Sequence, residues 1–268
     1  MLSAQPRTRG SLLLSARLRG GRSRIGELRQ QGALKALFPQ ARQAALQAVF
    51  LNTSGGVTGG DQLTLQAEAE AGAALCLTSQ AAERIYRAQP DEIGQVATRL
   101  QVGAGGRIDW LPQETILFDG GALDRRLDAE VAADGCLLAV EPLIIGRVAM
   151  GETVRDARLT DRWRVRRDGR LIFADTLRLH GDVHAILQSP GVAGGAGAMA
   201  ALLLVAPHAE DLAARLNTLL AGCGACSAIR PGVLFARILA RDGFALRQSL
   251  IPAIRLLSGG EIPRPWML

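Results

Sequence analysis

Along the first two thirds of the chain, short apolar runs with period-two alternation are interrupted at close intervals by glycine, aspartate and proline. Alternation of this kind buries one face of a strand and wets the other, so these runs are expected to pack as half-buried strands. The clearest case is Leu63-Thr64-Leu65-Gln66-Ala67-Glu68-Ala69-Glu70. The same signal marks 12–18, 45–51, 74–78, 96–102, 107–111, 115–118, 125–131, 136–145, 159–166 and 171–180. Two later segments have helical spacing. Residues 208–221 place Leu212, Leu216, Leu219 and Leu220 on one stripe, with Glu210 and Asp211 where carboxylates favour the helix dipole and Gly222 as the stop. Residues 244–257 repeat the pattern, with Pro252 expected to kink or divide the helix, and 232–240 between them alternates like one more strand. No strand–helix–strand rhythm recurs, which disfavours a parallel α/β sheet. The expected fold is mainly β, a two-sheet or β-helix-like body of many short strands with about two C-terminal helices, as a single domain over 1–268.

Composition narrows the partners. With 268 residues, 48% hydrophobic and 21% charged, the chain can bury a core and lacks the makeup of a long disordered tail. Aromatic residues are 4% of the total, so leucine, isoleucine, valine and alanine must build the core, and base-stacking platforms are not expected. The net charge of +6 is carried by arginine, Lys35 being the sole lysine. Rim arginines pair bidentately with carboxylates, which suits an acidic protein partner. Arg162, Arg164, Arg166 and Arg167 cluster, but Trp163 and Val165 between them make this the wet face of a strand rather than a phosphate track. Nucleic acid is therefore not an expected partner. Nor is a membrane, because the most apolar window, 192–206, is too short to span one. No signal-peptide core fits the arginine-rich N-terminus, and four scattered cysteines do not make a disulfide framework, so the expected compartment is a reducing cytoplasm.

The candidate sites offer no catalytic constellation. Ser79 lacks the Gly-x-Ser-x-Gly elbow of a nucleophile, and the histidines lie far from it in sequence. His180 and His184 would share a face only on a helix, whereas Gly181 and the alternation of Leu177-Arg178-Leu179 place them at a strand end; His208 lies near a helix start. The loop Gly55-Gly56-Val57-Thr58-Gly59-Gly60-Asp61 is expected to be a tight turn, since no Lys-Ser/Thr and no helix follow it to cradle a phosphate. Cys223 and Cys226 have the spacing of a metal knuckle, yet a closed tetrahedral site takes four ligands and no second pair exists, Cys76 and Cys136 reading as buried core. Carboxylates are the more informative set. Asp61, Glu83, Glu114, Asp119, Glu141, Glu152 and Asp175 adjoin glycines, prolines or strand ends, where they could line a hydrated path for a hard or borderline cation held weakly enough to move on.

Three blocks stand out together: Asn52-x-x-Gly55-Gly56-x-x-Gly59-Gly60-Asp61, then 78–87 (TSQAAERIYR), then Trp110-Leu111-Pro112-Gln113-Glu114-Thr115-Ile116-x-Phe118. With Gly146-Arg147-x-x-x-Gly151-Glu152, Arg237-Ile238-Leu239-Ala240 and Pro263-Arg264-x-Trp266, they resemble in order and spacing the UreD (UreH) family of urease accessory proteins, over nearly the whole chain. The chain departs from that family at Thr53-Ser54, where a proline often follows the asparagine. The resemblance implies a β-rich cytoplasmic scaffold, not an enzyme, that binds UreF and through it the GTPase UreG. It further implies docking on the urease apoprotein subunits and passage of nickel through an internal polar tunnel. No tightly bound cofactor is implied, only transient nickel. Asp61, Glu83, Glu141, Glu152 and Asp175 are the residues expected to line or support that path. The alternatives are a β-rich scaffold of another metal-centre assembly complex and a metal-binding protein built on Cys223 and Cys226.

Overall fold

In the computed structural model, which describes residues 6–40, 44–260 and 262–267, the chain runs through β1 (Arg9–Arg19), β2 (Arg22–Gly32), β3 (Leu34–Leu37), β4 (Leu46–Asn52), β5 (Gln62–Ala69) and β6 (Ala74–Ser79). It continues through β7 (Glu83–Ile85), β8 (Gly94–Val102), β9 (Arg107–Trp110), β10 (Thr115–Leu117), β11 (Ala122–Val131) and β12 (Cys136–Ile145). There follow β13 (Ala157–Arg167), β14 (Arg170–Gly181), α1 (Val183–Gln188), β15 (Ala198–Val205), α2 (Ala213–Leu219), β16 (Gly224–Arg230), β17 (Val233–Ala240) and α3 (Gly243–Ser258).

The strands form two sheets. The first has seven strands in the order β14-β13-β11-β8-β5-β1-β2; the second runs β16-β17-β15-β12-β9-β6-β4-β3, with β10 added beside β12 and β7 beside β10. Through its middle the chain winds like a solenoid, crossing from β5 to β6, β8 to β9 and β11 to β12, and each return lays a strand parallel beside the last one in the same sheet. Parallel ladders normally need helical crossovers. Here the other sheet serves as the crossover, so the strands are parallel although no α/β rhythm exists in the sequence.

Parallel stacking without register slip lines up side chains of like phase. Leu65, Thr98, Leu127 and Trp163 are register partners across four strands, and Ala67, Leu100, Ala129 and Val165 form the next rung. These rungs face Leu77, Trp110 and Ala139 of the second sheet and close the larger core. The opposite face of the second sheet, including Leu138, Val140, Leu202 and Leu234, packs against α2, α3 and Trp266 in a separate cluster. Each fully buried leucine contributes roughly 1.5–3 kcal/mol. Arg107 fastens the helical layer: it pairs with Asp109 at 2.9 Å and donates to the carbonyls of Leu257 and Ser258 at 3.3 and 3.2 Å, which the end of α3 leaves without helical partners.

The mainly β expectation holds, and several local ones need correction. The exposed strand β2 was not signalled, because Arg22, Arg24, Glu27, Arg29, Gln30 and Gln31 leave it no apolar alternation. The short strands β3 and β16 were likewise unsignalled. His184 lies in α1, not at a strand end, because Asp182 caps that helix by accepting from the backbone N–H of Ala185 at 2.9 Å. Segment 208–221 is a 3-10 turn followed by the short α2 rather than one helix, with His208 in the left-handed region at φ 58°. Pro252 does not divide α3, which runs through it for 16 residues.

The two sheets are also tied by buried charge. Arg125 of β11 and Asp161 of β13 are register partners facing inward, with Nε and Nη2 donating to the two Asp161 oxygens at 3.1 and 2.6 Å. From the second sheet, Glu141 brings Oε2 to 3.0 Å from the same guanidinium. Trp110 Nε1 donates to Glu141 Oε1 at 2.9 Å, and Trp163 Nε1 donates to Oε2 at 3.3 Å. Burial opposes the charge on Arg125, but Asp161 and Glu141 outweigh it and hold the guanidinium pKa above its ordinary value. Breaking a buried pair strands its partners' charge, whereas breaking an exposed one costs little. Arg125→Met is therefore expected to cost about 3–5 kcal/mol by urea denaturation, against less than about 1 kcal/mol for Arg162→Met, which removes only the half-exposed pair with Asp124. Equal losses would show that Arg125 does not tie the sheets.

Candidate functional site

Beside this charged cluster the sheets part around a cavity of about 170 Å³. Its apolar wall includes Leu63, Leu65, Val96 and Leu123, and its polar groups come from Asn52, Glu83, Gln113, Thr115, Arg125 and Glu141. Gln80, Ala81 and Arg84 also line it and are exposed, so it opens to solvent along the 80–84 segment. The groups form a chain from mouth to interior. Glu83 on β7 is the register partner of Thr115 on β10, Thr115 Oγ1 accepts from Arg125 Nη1 at 2.9 Å, and Arg125 meets Glu141. Phe50 stacks on Trp110 with centroids 5.1 Å apart and planes at 4°, which holds the indole in place to donate to Glu141.

The two carboxylates differ in what they have left to offer. Glu141 has both oxygens occupied by two indole N–H groups and a guanidinium, which fixes its position between the sheets. Burial pushes its pKa up, and the negative charge of Asp161 adds to the rise, against the pull of Arg125. Glu83 accepts long hydrogen bonds from Asn52 Nδ2, at 3.2 and 3.3 Å, and the backbone N–H of Arg84 also favours its charged form. Burial pushes its pKa up to about 7; the Asn52 hydrogen bond and Arg84 oppose the rise, and the charge of Asp61 adds to it. Near neutral pH this carboxyl is therefore poised between a proton and another cation.

The glycine-rich loop is a turn, as expected, and it serves this site by aiming Asn52. Asn52 Oδ1 accepts from Ser54 N and Oγ at 3.0 and 2.6 Å, and Nδ2 donates to the Gly56 carbonyl at 3.0 Å, so the amide can present only its N–H side to Glu83. Gly56 sits at φ 156°, and a β-carbon there would strike the Tyr86 ring and the Arg84 carbonyl.

Of the five residues expected along a cation path, the structure brings Glu83 and Glu141 to one cavity. The other three hold loops and edges. Asp61 is buried and clamps the glycine-rich loop to the start of β1, accepting from Thr8 N at 2.7 Å and Thr58 N at 2.9 Å. Glu152 accepts from the backbone N–H and side chain of Arg147 and from Asp119 N, and the Arg147 hydrogen bonds hold its pKa below the usual carboxylate range. Asp175 on β14 pairs with Arg237 on β17, bridging the sheets away from the cavity. Cys223 Sγ lies 3.3 Å from both the Leu220 carbonyl and Ser249 Oγ, while Cys226 Sγ donates to the Ala213 carbonyl at 3.3 Å. His180 contacts Thr160 Oγ1 at 3.0 Å. Among the described residues no three His, Cys, Asp or Glu side chains group as metal ligands, and no helix is long and apolar enough to cross a membrane.

Sequence reasoning passed over Arg125 and Asp161, although their phase carried a signal. Arg125 alternates in step with Leu127, Ala129 and Val131, and Asp161 with Leu159, Trp163 and Val165, so each is a charge on a strand's buried face. Gln113 was noted only as part of a motif; its backbone N–H donates to Ser79 Oγ at 2.8 Å, a contact between distant segments that no local pattern encodes.

Comparison with known proteins matches residues 8–267 to the family described as UreD urease accessory protein. A protein of Ruegeria pomeroyi named urease accessory protein UreD is 51% identical over 255 residues, covering 95% of this chain and 99% of that one. One of the same name from Rhizobium leguminosarum bv. viciae is 45% identical over 263 residues, covering 98% and 96% respectively. Urease accessory protein UreD 1 of Brucella abortus is 46% identical over 266 residues, covering 98% and 95%. This chain belongs to the UreD family of urease accessory proteins.

Proposed function

We propose that this chain acts in urease maturation as a non-enzymatic cytoplasmic scaffold, bound to UreF and through it to UreG, that passes nickel through the cavity between its sheets to the urease apoprotein. The observation that carries this reading is Glu83: a carboxyl held without an ion pair to the inner cluster, at the mouth of a cavity where one guanidinium is set against two carboxylates. When Glu141 and Asp161 are both ionised the cluster has a net negative charge, which favours a dication nearby and costs it no ligand exchange. Nickel enters as cargo. Glu83 exchanges its proton for the ion, and a single oxygen ligand holds a borderline cation loosely enough to release it. Asp61, Glu152 and Asp175 support the passage by fixing the loops and the sheet edge around it. The arginine-rich surface suits acidic partners.

Co-expression with UreF, UreG and the urease subunits, followed by pull-down, is expected to recover the chain in a complex; its absence from that complex would overturn the scaffold role. In the same system Glu83→Gln is expected to lower urease nickel content about tenfold, whereas Glu152→Gln leaves it within about twofold. Full nickel loading with Glu83→Gln would remove the cavity from the route.

The pH dependence has a definite sign. Protonated Glu83 cannot ligate, so nickel uptake by the purified chain is expected to rise from pH 6 to pH 8 through a midpoint near its pKa of about 7, and Glu83→Gln is expected to flatten that rise. Equilibrium dialysis across this range measures it, and an unchanged profile in the variant would assign the titration to another group.

A further inference from the structure

Gln113 is 4% exposed and lines the cavity. Its side-chain Oε1 accepts from Arg247 Nη2, while its Nε2 is buried and has no hydrogen-bond partner among the described residues. The orientation is dictated by chemistry: a guanidinium has only donors, so the amide must turn its oxygen towards Arg247. Arg247 is itself held firmly. Its Nε and Nη2 donate to Glu114 Oε1 and Oε2 at 2.5 and 3.1 Å, and its guanidinium lies 5.3 Å from the centroid of the Trp266 ring. Trp266 in turn donates from Nε1 to the Leu111 carbonyl at 2.9 Å. An arginine of α3 thus reaches from the helical layer to the cavity wall, where it occupies the Gln113 oxygen, and it pairs with the neighbouring Glu114.

A buried amide N–H2 without an acceptor carries a desolvation cost that a methionine at the same place would not. An amide oxygen is a good ligand for a divalent cation, and an amide N–H2 is none. We propose that Arg247 is a positioning residue: by holding the oxygen of Gln113, it keeps that side chain from offering the ion a further ligand, so that nickel is released rather than trapped. This rests on the cavity being the route of nickel. Loss of Arg247 frees the Gln113 amide to turn, which places an oxygen where the N–H2 group stood and gives the ion a second ligand from the protein.

The test measures nickel(II) binding to the purified full chain by equilibrium dialysis at pH 7.5, for Arg247→Met, Gln113→Met, the double variant and Glu83→Gln, with circular dichroism to establish folding. Arg247→Met is expected to bind nickel about tenfold more tightly than the parent, and the double variant to return to the parent value, because the gain resides in the Gln113 oxygen. Gln113→Met alone is expected to leave affinity unchanged. A merely structural arginine would weaken binding or leave it as it was, and either result overturns the proposal. So does a gain that survives in the double variant, which would reflect only the lost positive charge. Should Arg247→Met fail to fold, Gln113→Glu keeps the pairing with Arg247 and substitutes an oxygen for the N–H2 group; tighter binding supports the proposal, and unchanged binding overturns it. Failure of the underlying route has a different signature: Glu83→Gln would then bind nickel as the parent does.

Discussion

A single guanidinium buried between two sheets governs this structure. Arg125 meets Asp161 beside it in its own sheet and Glu141 across the core, and two indole N–H groups complete the acceptor sites of Glu141. Such a cluster does not maximise stability, since apolar residues of the same volume would usually serve as well or better. What it does is hold the sheets at a defined separation at one level and set two carboxylates against one guanidinium there. The cavity, its mouth at Glu83 and the orientation of Trp110 all depend on that arrangement.

The solenoid winding explains why the cluster can exist. Parallel strands in register repeat the same inward phase at every turn, so one rung can be polar while those beside it stay apolar. The rung of Leu63, Val96, Arg125 and Asp161 is of this kind: two aliphatic residues continue into an ion pair without a change in backbone geometry. The helical layer completes the design from the far side of the second sheet, where Arg107 caps α3 and Arg247 reaches to the wall at Gln113.

Much of the fold was legible because alternation is a direct consequence of half-buried strands. Leu63 to Glu70 could pack in no other way, and the stripe of α3 was equally plain. The parallel pairing was not legible, since strands joined through a second sheet leave the same local pattern as hairpins do. β2 escaped notice because an exposed edge strand has no buried face to write into its sequence. At the site, Glu83 and Glu141 were identified as polar residues in suggestive places, but so were Asp61, Glu152 and Asp175, which turn out to clamp loops and an edge. Residue type alone cannot separate a carboxylate that holds a backbone from one that faces a cavity; only the partners do.

Nickel is proposed to meet this chain at Glu83, at the cavity mouth. Anomalous diffraction at the nickel absorption edge, from crystals of the chain soaked in nickel(II) at pH 8, tests it most directly. A peak bonded to a Glu83 oxygen is expected, inside the cavity formed by Asn52, Thr115 and Glu141. Peaks confined to the surface, at Cys223 or His180 for example, with none in the cavity, would contradict it.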